Sequence, residues 1–153
     1  MSIDRIDHIN IVVSDLERMV EFYTRLLGLR ETKRVTICGD WVAATVGLTG
    51  VHADVVYLEF TTGPRVELVR YNKPTMDRPA NVDKPQAPGL RHLAFTVSDI
   101  DALVARLRER GVRFFSDVQT VPSTQVTYAN DVRKRLVYFQ DPEGNLLELC
   151  EYR

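Results

Sequence analysis

The chain repeats one of its own sequence patterns. The segment His8–Leu16 recurs in the second half of the chain as His92–Ile100, with a His, a run of mostly apolar residues and a Ser-Asp pair at the same spacing. A period of about half the chain exceeds the roughly 20–50 residues of solenoid repeats. The repeat therefore predicts two copies of one module rather than an array.

A second pair of segments matches at a slightly shorter offset. Val56-Tyr57 is followed ten residues later by Glu67, and Val137-Tyr138 is followed ten residues later by Glu148. Each half thus contributes one His on its opening strand and one Glu on its closing strand. Two modules that each bring a His and a Glu can build a metal site from both.

The hydrophobic pattern predicts the order β-α-β-β-β in each half. In the first half we expect a strand over 3–13, a helix from a capping box at Ser14 to Gly28, and strands near 29–38, 41–48, 53–61 and 65–71. In the second we expect a strand over 90–97, a helix from Ser98 to Gly111, and strands near 112–121, 125–130, 134–140 and 145–151. The prolines of the intervening segment predict a linker. The predicted organisation is α+β, with modules at 1–71 and 90–153 and a linker at 72–89.

Strand alternation predicts the direction of the four repeated side chains. Neighbouring residues of a strand face opposite sides of the sheet. In the first strand the apolar residues alternate with His8, and in the closing strand they alternate with Glu67; the same holds for His92 and Glu148. All four ionisable side chains are therefore expected on the face away from the helix, where curved sheets would aim them into one concavity.

Two imidazoles and two carboxylates suit a divalent first-row metal. This mixed N2O2 set leaves coordination positions for water or substrate, and Ni, Co, Mn, Fe or Zn could occupy it. Such an ion can act as a Lewis acid on a carbonyl oxygen, while a carboxylate beside it removes a neighbouring proton. The third histidine, His52, has no counterpart in the other half and is expected at the surface.

Composition excludes several other classes of protein. The net charge of −1 gives no bulk attraction to nucleic acid or to anionic membranes, and no apolar run approaches the roughly 20 residues of a membrane span. The amino terminus lacks the apolar stretch of a signal peptide, so a cytoplasmic location is expected. Cys38 and Cys150 lie far apart in the sequence and are expected to stay reduced.

Four sequence motifs resemble those of the vicinal oxygen chelate superfamily, which includes glyoxalase-type lyases, methylmalonyl-CoA epimerases, extradiol dioxygenases and bleomycin-resistance proteins. The most specific is the DPxGN turn in Phe139–Leu149, which precedes the strand that carries Glu148. The other three are Asp7–Leu16, Phe22–Leu29 and Gly89–Phe95.

The resemblance implies paired βαβββ modules that form an open barrel around a metal, with ligands at His8, Glu67, His92 and Glu148. This set is similar to the bacterial glyoxalase pattern, whereas the epimerases usually carry Gln at the second position. The implied function is a lyase, isomerase or epimerase that moves a proton next to the carbonyl of a small substrate, and the implied assembly is a homodimer. A metal-dependent dioxygenase and a non-catalytic binding or resistance protein remain alternatives.

Further residues are candidates for the substrate pocket. Glu148 and Glu67 are the candidate catalytic bases, with Glu59 as a second base for an epimerase. Arginines can bind a substrate carboxylate or phosphate. The candidate pocket residues are Tyr57, Arg65, Arg91, Tyr128, Arg135, Tyr138 and Gln140.

Overall fold

A computed structural model describes residues 2–153 and divides the chain into two compact units, one ending at Arg78 and the other beginning at Pro79. The first unit contains β1 (His8–Val12), α1 (Leu16–Glu21), β2 (Arg30–Cys38), α2 (Asp40–Val46), β3 (His52–Glu59) and β4 (Arg65–Lys73). The second contains β5 (His92–Thr96), α3 (Ile100–Glu109), β6 (Gln119–Thr120), β7 (Lys134–Gln140) and β8 (Leu146–Tyr152). Apart from α2, both units follow the predicted order β-α-β-β-β, which confirms the α+β class.

The two units build their sheets in the same way. The strand orders are β1-β4-β3-β2 and β5-β8-β7-β6, and the first strand of each unit pairs in parallel with the last. The remaining pairs are antiparallel, and Glu67 lies opposite Tyr57 just as Glu148 lies opposite Tyr138. Each sheet, as described for residues 2–153, is open and does not close on itself into a barrel.

Aspartates begin the two repeated helices. The Asp15 side chain accepts a hydrogen bond from the amide of Arg18 at 3.1 Å, and Asp99 does the same from Ala102 at 3.0 Å. The predicted caps at Ser14 and Ser98 were therefore wrong by one residue, because the aspartates hold the extended backbone of an N-cap. The helix α1 continues as a π-helix over Phe22–Leu26, and α3 has ten residues. No helix described between residues 2 and 153 could cross a membrane.

The segment predicted as a strand over 41–48 is largely the helix α2. Gly39 precedes this helix, and Gly47 ends it in the left-handed conformation that glycine adopts without steric cost. Its two flanking glycines leave room for only seven residues, of which Val42 is the buried one. The β-branched and aromatic residues of this segment had favoured a strand, so tertiary context overrides local propensity here.

Two further predicted strands of the second module are reduced or absent. The expected strand at 112–121 is represented by a single bridge between Phe114 and Phe139 and by the two residues of β6. The expected strand at 125–130 is a turn followed by a short 3-10 helix at Ala129–Asp131. Because β6 occupies the outer edge of β7, residues 125–130 have no strand to pair with in the described sheet.

The DPxGN turn fixes the start of β8. The buried carboxylate of Asp141 accepts hydrogen bonds from the amide of Glu143 at 3.0 Å, the amide of Asn145 at 2.9 Å and Nδ2 of Asn145 at 2.8 Å. These bonds close an Asx-type turn. The turn delivers Leu146 into register opposite His92, which in turn sets the direction of Glu148 two residues later.

Candidate metal centre

The first unit brings His8 of β1 beside Glu67 of β4. Nε2 of His8 lies 3.6 Å from Oε2 of Glu67. Parallel pairing of β1 with β4 places Asn10 opposite Glu67. His8 lies two residues before Asn10, so the side chains of His8 and Glu67 leave the same face of the sheet. This is the face away from α1 that alternation had predicted.

Asp7 orients the imidazole of His8. Its Oδ2 lies 2.9 Å from Nδ1 of His8 and also accepts a hydrogen bond from the guanidinium of Arg65. A carboxylate only accepts hydrogen bonds, so we assign a proton to Nδ1; in the neutral imidazole this tautomer directs the lone pair of Nε2 towards Glu67. Metal-binding histidines are commonly held by a carboxylate in this way.

Asn10 and Tyr57 support the carboxylate of Glu67. Nδ2 of Asn10 donates a hydrogen bond of 2.6 Å to Oε2. The hydrogen bond of Tyr57 to Glu67, together with burial, raises the pKa of the Tyr57 phenol above its usual value. The phenol is therefore a hydrogen-bond donor at neutral pH.

The second unit repeats this pair with tighter geometry. Nε2 of His92 lies 3.2 Å from Oε2 of Glu148, and the Glu148 side chain is only 5% exposed. The Tyr138 hydroxyl lies 3.4 Å from Nδ1 of His92. Burial, followed by the negative charge of Glu148, raises the pKa of Tyr138, so this phenol also stays protonated.

Lys134 is a functional candidate that the sequence reasoning missed. Its Nζ lies 2.7 Å from Oε1 of Glu148. Oε1 of Glu148 is buried and forms an ion pair with this ammonium, although the geometry does not meet the criteria for a hydrogen bond. Lys134 lies on the same face of β7 as Leu136 and Tyr138, and this shared face with Tyr138 was the available signal in the sequence.

The candidates Glu59 and Arg65 lie in the first unit, which also contains the His8–Glu67 pair. Glu59 forms an ion pair with Arg30 at 3.1 Å, and its side chain is about one-third exposed. Arg65 binds Asp7, and its guanidinium carbon lies 5.1 Å from the centre of the Tyr57 ring. Arg65 thus reaches His8 through Asp7.

The remaining candidates, Gln140, Tyr128 and Arg91, lie in the second unit. Gln140 follows Tyr138 on the same face of β7, and the Tyr128 ring packs edge-on against Tyr152 with a centroid distance of 5.4 Å. Arg91 contacts the Asn81 carbonyl at 3.5 Å.

Arg135 was predicted to bind substrate, and that placement is corrected. It lies on the helix side of β7 and binds Asp101 of α3 at 2.7 Å and Glu151 at 3.1 Å. Arg135 lies on the face of β7 opposite to Tyr138 and Gln140, because neighbouring strand residues point to opposite faces. Its ion pairs therefore join α3 to the sheet.

The spacing and chemistry of the donors fit a metal. Donors bound at about 2.0–2.2 Å lie about 2.8–3.6 Å apart when their angle at the ion is between a right angle and a tetrahedral angle. The His92–Glu148 pair falls within this range, and the His8–Glu67 pair lies at its upper limit. Among residues 2–153 the structure places no group of three or more His, Cys, Asp or Glu side chains to hold an ion. Each unit offers two donors, His8 with Glu67 and His92 with Glu148.

Asp7 is expected to remain ionised at lower pH than an ordinary aspartate. The hydrogen bond with His8, and then that with Arg65, lowers its pKa below the usual 3.8. Its contribution to folding is therefore complete above pH 3.8 and is lost as the pH falls through the lowered folded-state value. A carboxyl NMR titration checks the midpoint, which should move upward in Arg65→Met. A wild-type midpoint at or above 3.8 would contradict the assignment.

Comparisons with known proteins agree with this architecture. The chain is 34% identical over 150 residues to a 2-epi-5-epi-valiolone epimerase from an Actinomyces species, covering 94% of this chain and 77% of the relative. It is 31% identical to the uncharacterized protein YaeR of Escherichia coli K12, covering 99% of this chain and 98% of the relative. A crystal structure of a glyoxalase family protein from Bacillus cereus superposes with a TM-score of 0.83 at 29% identity, covering 99% of this chain and 96% of the other.

A family model covers nearly the whole chain. It matches residues 5–149, a span that contains both His–Glu pairs and the DPxGN turn. The expectation drawn from the sequence motifs is thereby confirmed. The chain belongs to the Glyoxalase/Bleomycin resistance protein/Dioxygenase superfamily.

Proposed function

We propose that this protein is a metal-dependent enzyme that moves a proton at the carbon next to a carbonyl, as an epimerase, isomerase or lyase. The observation that carries the proposal is the duplicated His–Glu pair, which both units present at equivalent positions of equivalent sheets. The superfamily contains enzymes that use a divalent metal. The similarity to a protein named as an epimerase favours chemistry that removes and returns a proton.

The proposed metal ligands are His8, Glu67, His92 and Glu148. Two contacts support this assignment: Asp7 holds Nδ1 of His8, as carboxylates commonly do for metal-binding histidines, and Nε2 of His92 lies 3.2 Å from Oε2 of the buried Glu148. Once bound, a divalent ion would supply a Lewis acid for the substrate carbonyl oxygen. The ion can be Ni, Co, Mn, Fe or Zn, all of which accept imidazole and carboxylate donors.

The carboxylates move the proton in this proposal. Glu67 or Glu148 accepts the proton from the carbon next to the carbonyl. In an isomerase the same group returns the proton to the neighbouring carbon, whereas in an epimerase a second acid, the other carboxyl group or Glu59, delivers a proton to the opposite face of the first carbon. Tyr57 and Tyr138 stay protonated beside these carboxylates: Tyr57 hydrogen-bonds Glu67, and Tyr138 contacts His92, the partner of Glu148. Glu59 is a reserve base, although its pairing with Arg30 lowers its availability.

The first test is the metal content of protein purified without chelator, measured by mass spectrometry. Wild-type protein should retain a divalent ion, and His92→Ala should lose it, because even a change in the groups that support a metal ligand commonly costs about 10–100-fold in affinity. His52→Ala is the matched control, since His52 contacts Asn72 instead of a paired carboxylate. Retention of the ion by His92→Ala would contradict the ligand set.

The second test is proton exchange on a substrate panel in deuterium oxide. Hydroxyketones, cyclic polyol ketones and thioesters should reveal one class that gains deuterium next to its carbonyl, detected by NMR. Oxygen consumption during turnover would instead indicate the dioxygenase alternative. Metal-loaded protein that binds panel members without exchange would favour the binding-protein alternative.

The cytoplasmic location and the homodimer stay predictions. An open sheet edge such as the outer side of β1 favours pairing between copies. Sedimentation analysis of the purified protein measures the assembly directly.

A further inference from the structure

We propose that Lys134 binds an anionic oxygen of the substrate beside Glu148. The inference rests on the proposed function and assigns a substrate-binding role to a side chain outside the four proposed ligands. Lys134 is 19% exposed, and its Nζ lies 2.7 Å from Oε1 of Glu148. An ammonium has three donors, so contact with one carboxylate oxygen leaves it able to bind an oxygen of a ligand.

The first module has no lysine at the position equivalent to Lys134. Tyr57 and Tyr138 correspond in the two modules, and the same offset relates the fully buried Ala53 to Lys134. Ala53 pairs with Tyr71 as Lys134 pairs with Tyr152, so the two positions are equivalent in their sheets. The corresponding strand of the first module therefore forms with a small apolar residue at this place, so strand formation and register do not require the charge of Lys134.

The charges around Lys134 point to a negatively charged ligand. Two carboxylates neutralise a divalent ion, so the proposed ligand set is neutral and the ammonium adds one positive charge. Glu151, the next acid on β8, lies on the opposite face and is bound by Arg135 at 3.1 Å and Arg153 at 2.7 Å. When the charge of Glu148 is engaged by the ion, an oxyanion of the ligand is the counter-charge left for Lys134.

The test compares an anionic probe with its neutral isostere on cobalt-loaded protein. Glycolate and glycolamide share vicinal oxygens and differ by one negative charge. We expect wild type to bind glycolate at least about tenfold more tightly than glycolamide, and Lys134→Met to weaken glycolate about 10–100-fold while changing glycolamide less than about threefold. Lys134→Arg should restore the preference. Titration of the cobalt absorption spectrum and calorimetry give both affinities without turnover.

Lys84→Met is the matched control, because Lys84 lies outside the helices and strands and pairs with Asp83. Cobalt-loaded Lys134→Met that keeps the glycolate preference would overturn the inference and leave the proposed function intact. Equal weakening of both probes would also overturn it, because Lys134 would then act only by holding Glu148. Wild type that takes up no cobalt would overturn the proposed function together with this role.

Discussion

Glu148→Gln is expected to lose bound metal and to lower kcat/KM by about 10³-fold or more. Removal of a general base typically costs about 10²–10⁴-fold, and loss of a metal ligand adds to that cost. The substitution removes a proposed ligand and also leaves the ammonium of Lys134, 2.7 Å away, without its counter-charge. The new amide must then satisfy both Lys134 and His92 from a position that is 5% exposed. Metal content and solvent-deuterium exchange measure the two losses.

Glu67→Gln is the matched comparison. Glu67 faces the rotatable amide of Asn10 and is more exposed than Glu148, so a Gln side chain can form compatible hydrogen bonds there. The resemblance to epimerases, which usually carry Gln at this ligand position, also predicts tolerance. We expect this variant to keep its metal with a smaller loss of turnover. Full metal and turnover in Glu148→Gln would remove that residue from the site.

Phe139→Ala is expected to lower the free energy of unfolding by about 3–5 kcal/mol. Phe139 is 0% exposed and stacks on Phe114 with a centroid distance of 5.4 Å. The substitution leaves a cavity beneath β7, on the face opposite Tyr138 and Gln140. Urea unfolding followed by circular dichroism measures the loss.

Phe115→Ala is its control, because Phe115 follows Phe114 in sequence but is 54% exposed. Its cost should stay within about 1 kcal/mol, as for most surface substitutions. Similar costs for the two variants would contradict the assignment of Phe139 to the core of this unit.

Strand alternation and the internal repeat predicted the modules and the direction of the His and Glu side chains. The period of a strand ties the direction of a side chain to its residue number, so His8 and Glu67 could be placed on one face without knowledge of the loops. The repeat then transferred the same reasoning to His92 and Glu148. His8 lies close to Glu67, and His92 close to Glu148, because the first and last strands of each module pair in parallel.

Short segments were harder to predict because several conformations suit them locally. Trp41–Val46 contains good strand formers, yet two glycines and the burial of Val42 make it a helix. Residues 125–130 have strand-like residues but no partner strand in the described sheet. In such cases the neighbours in three dimensions decide between conformations of similar local free energy.

Lys134 and Asn10 were missed as site residues for a physical reason. The four proposed ligands recur in both modules, whereas Lys134 and Asn10 each support one carboxylate and have Ala53 and Ala94 as their counterparts. The internal repeat can predict only site residues that occur in both modules, and these two side chains occur in one module each. Their contacts with Glu67 and Glu148 became evident only from the atomic distances.

Parallel pairing of the first and last strands affects when the donor pairs can form during protein synthesis. His8 and His92 lie on the first strand of their modules, whereas Glu67 and Glu148 lie on the last. Such high contact order delays their encounter until nearly the entire module has left the ribosome. A nascent chain that still lacks β4 or β8 therefore has an imidazole without its carboxylate partner, so the proposed metal ligands of each module come together only after its sheet is complete.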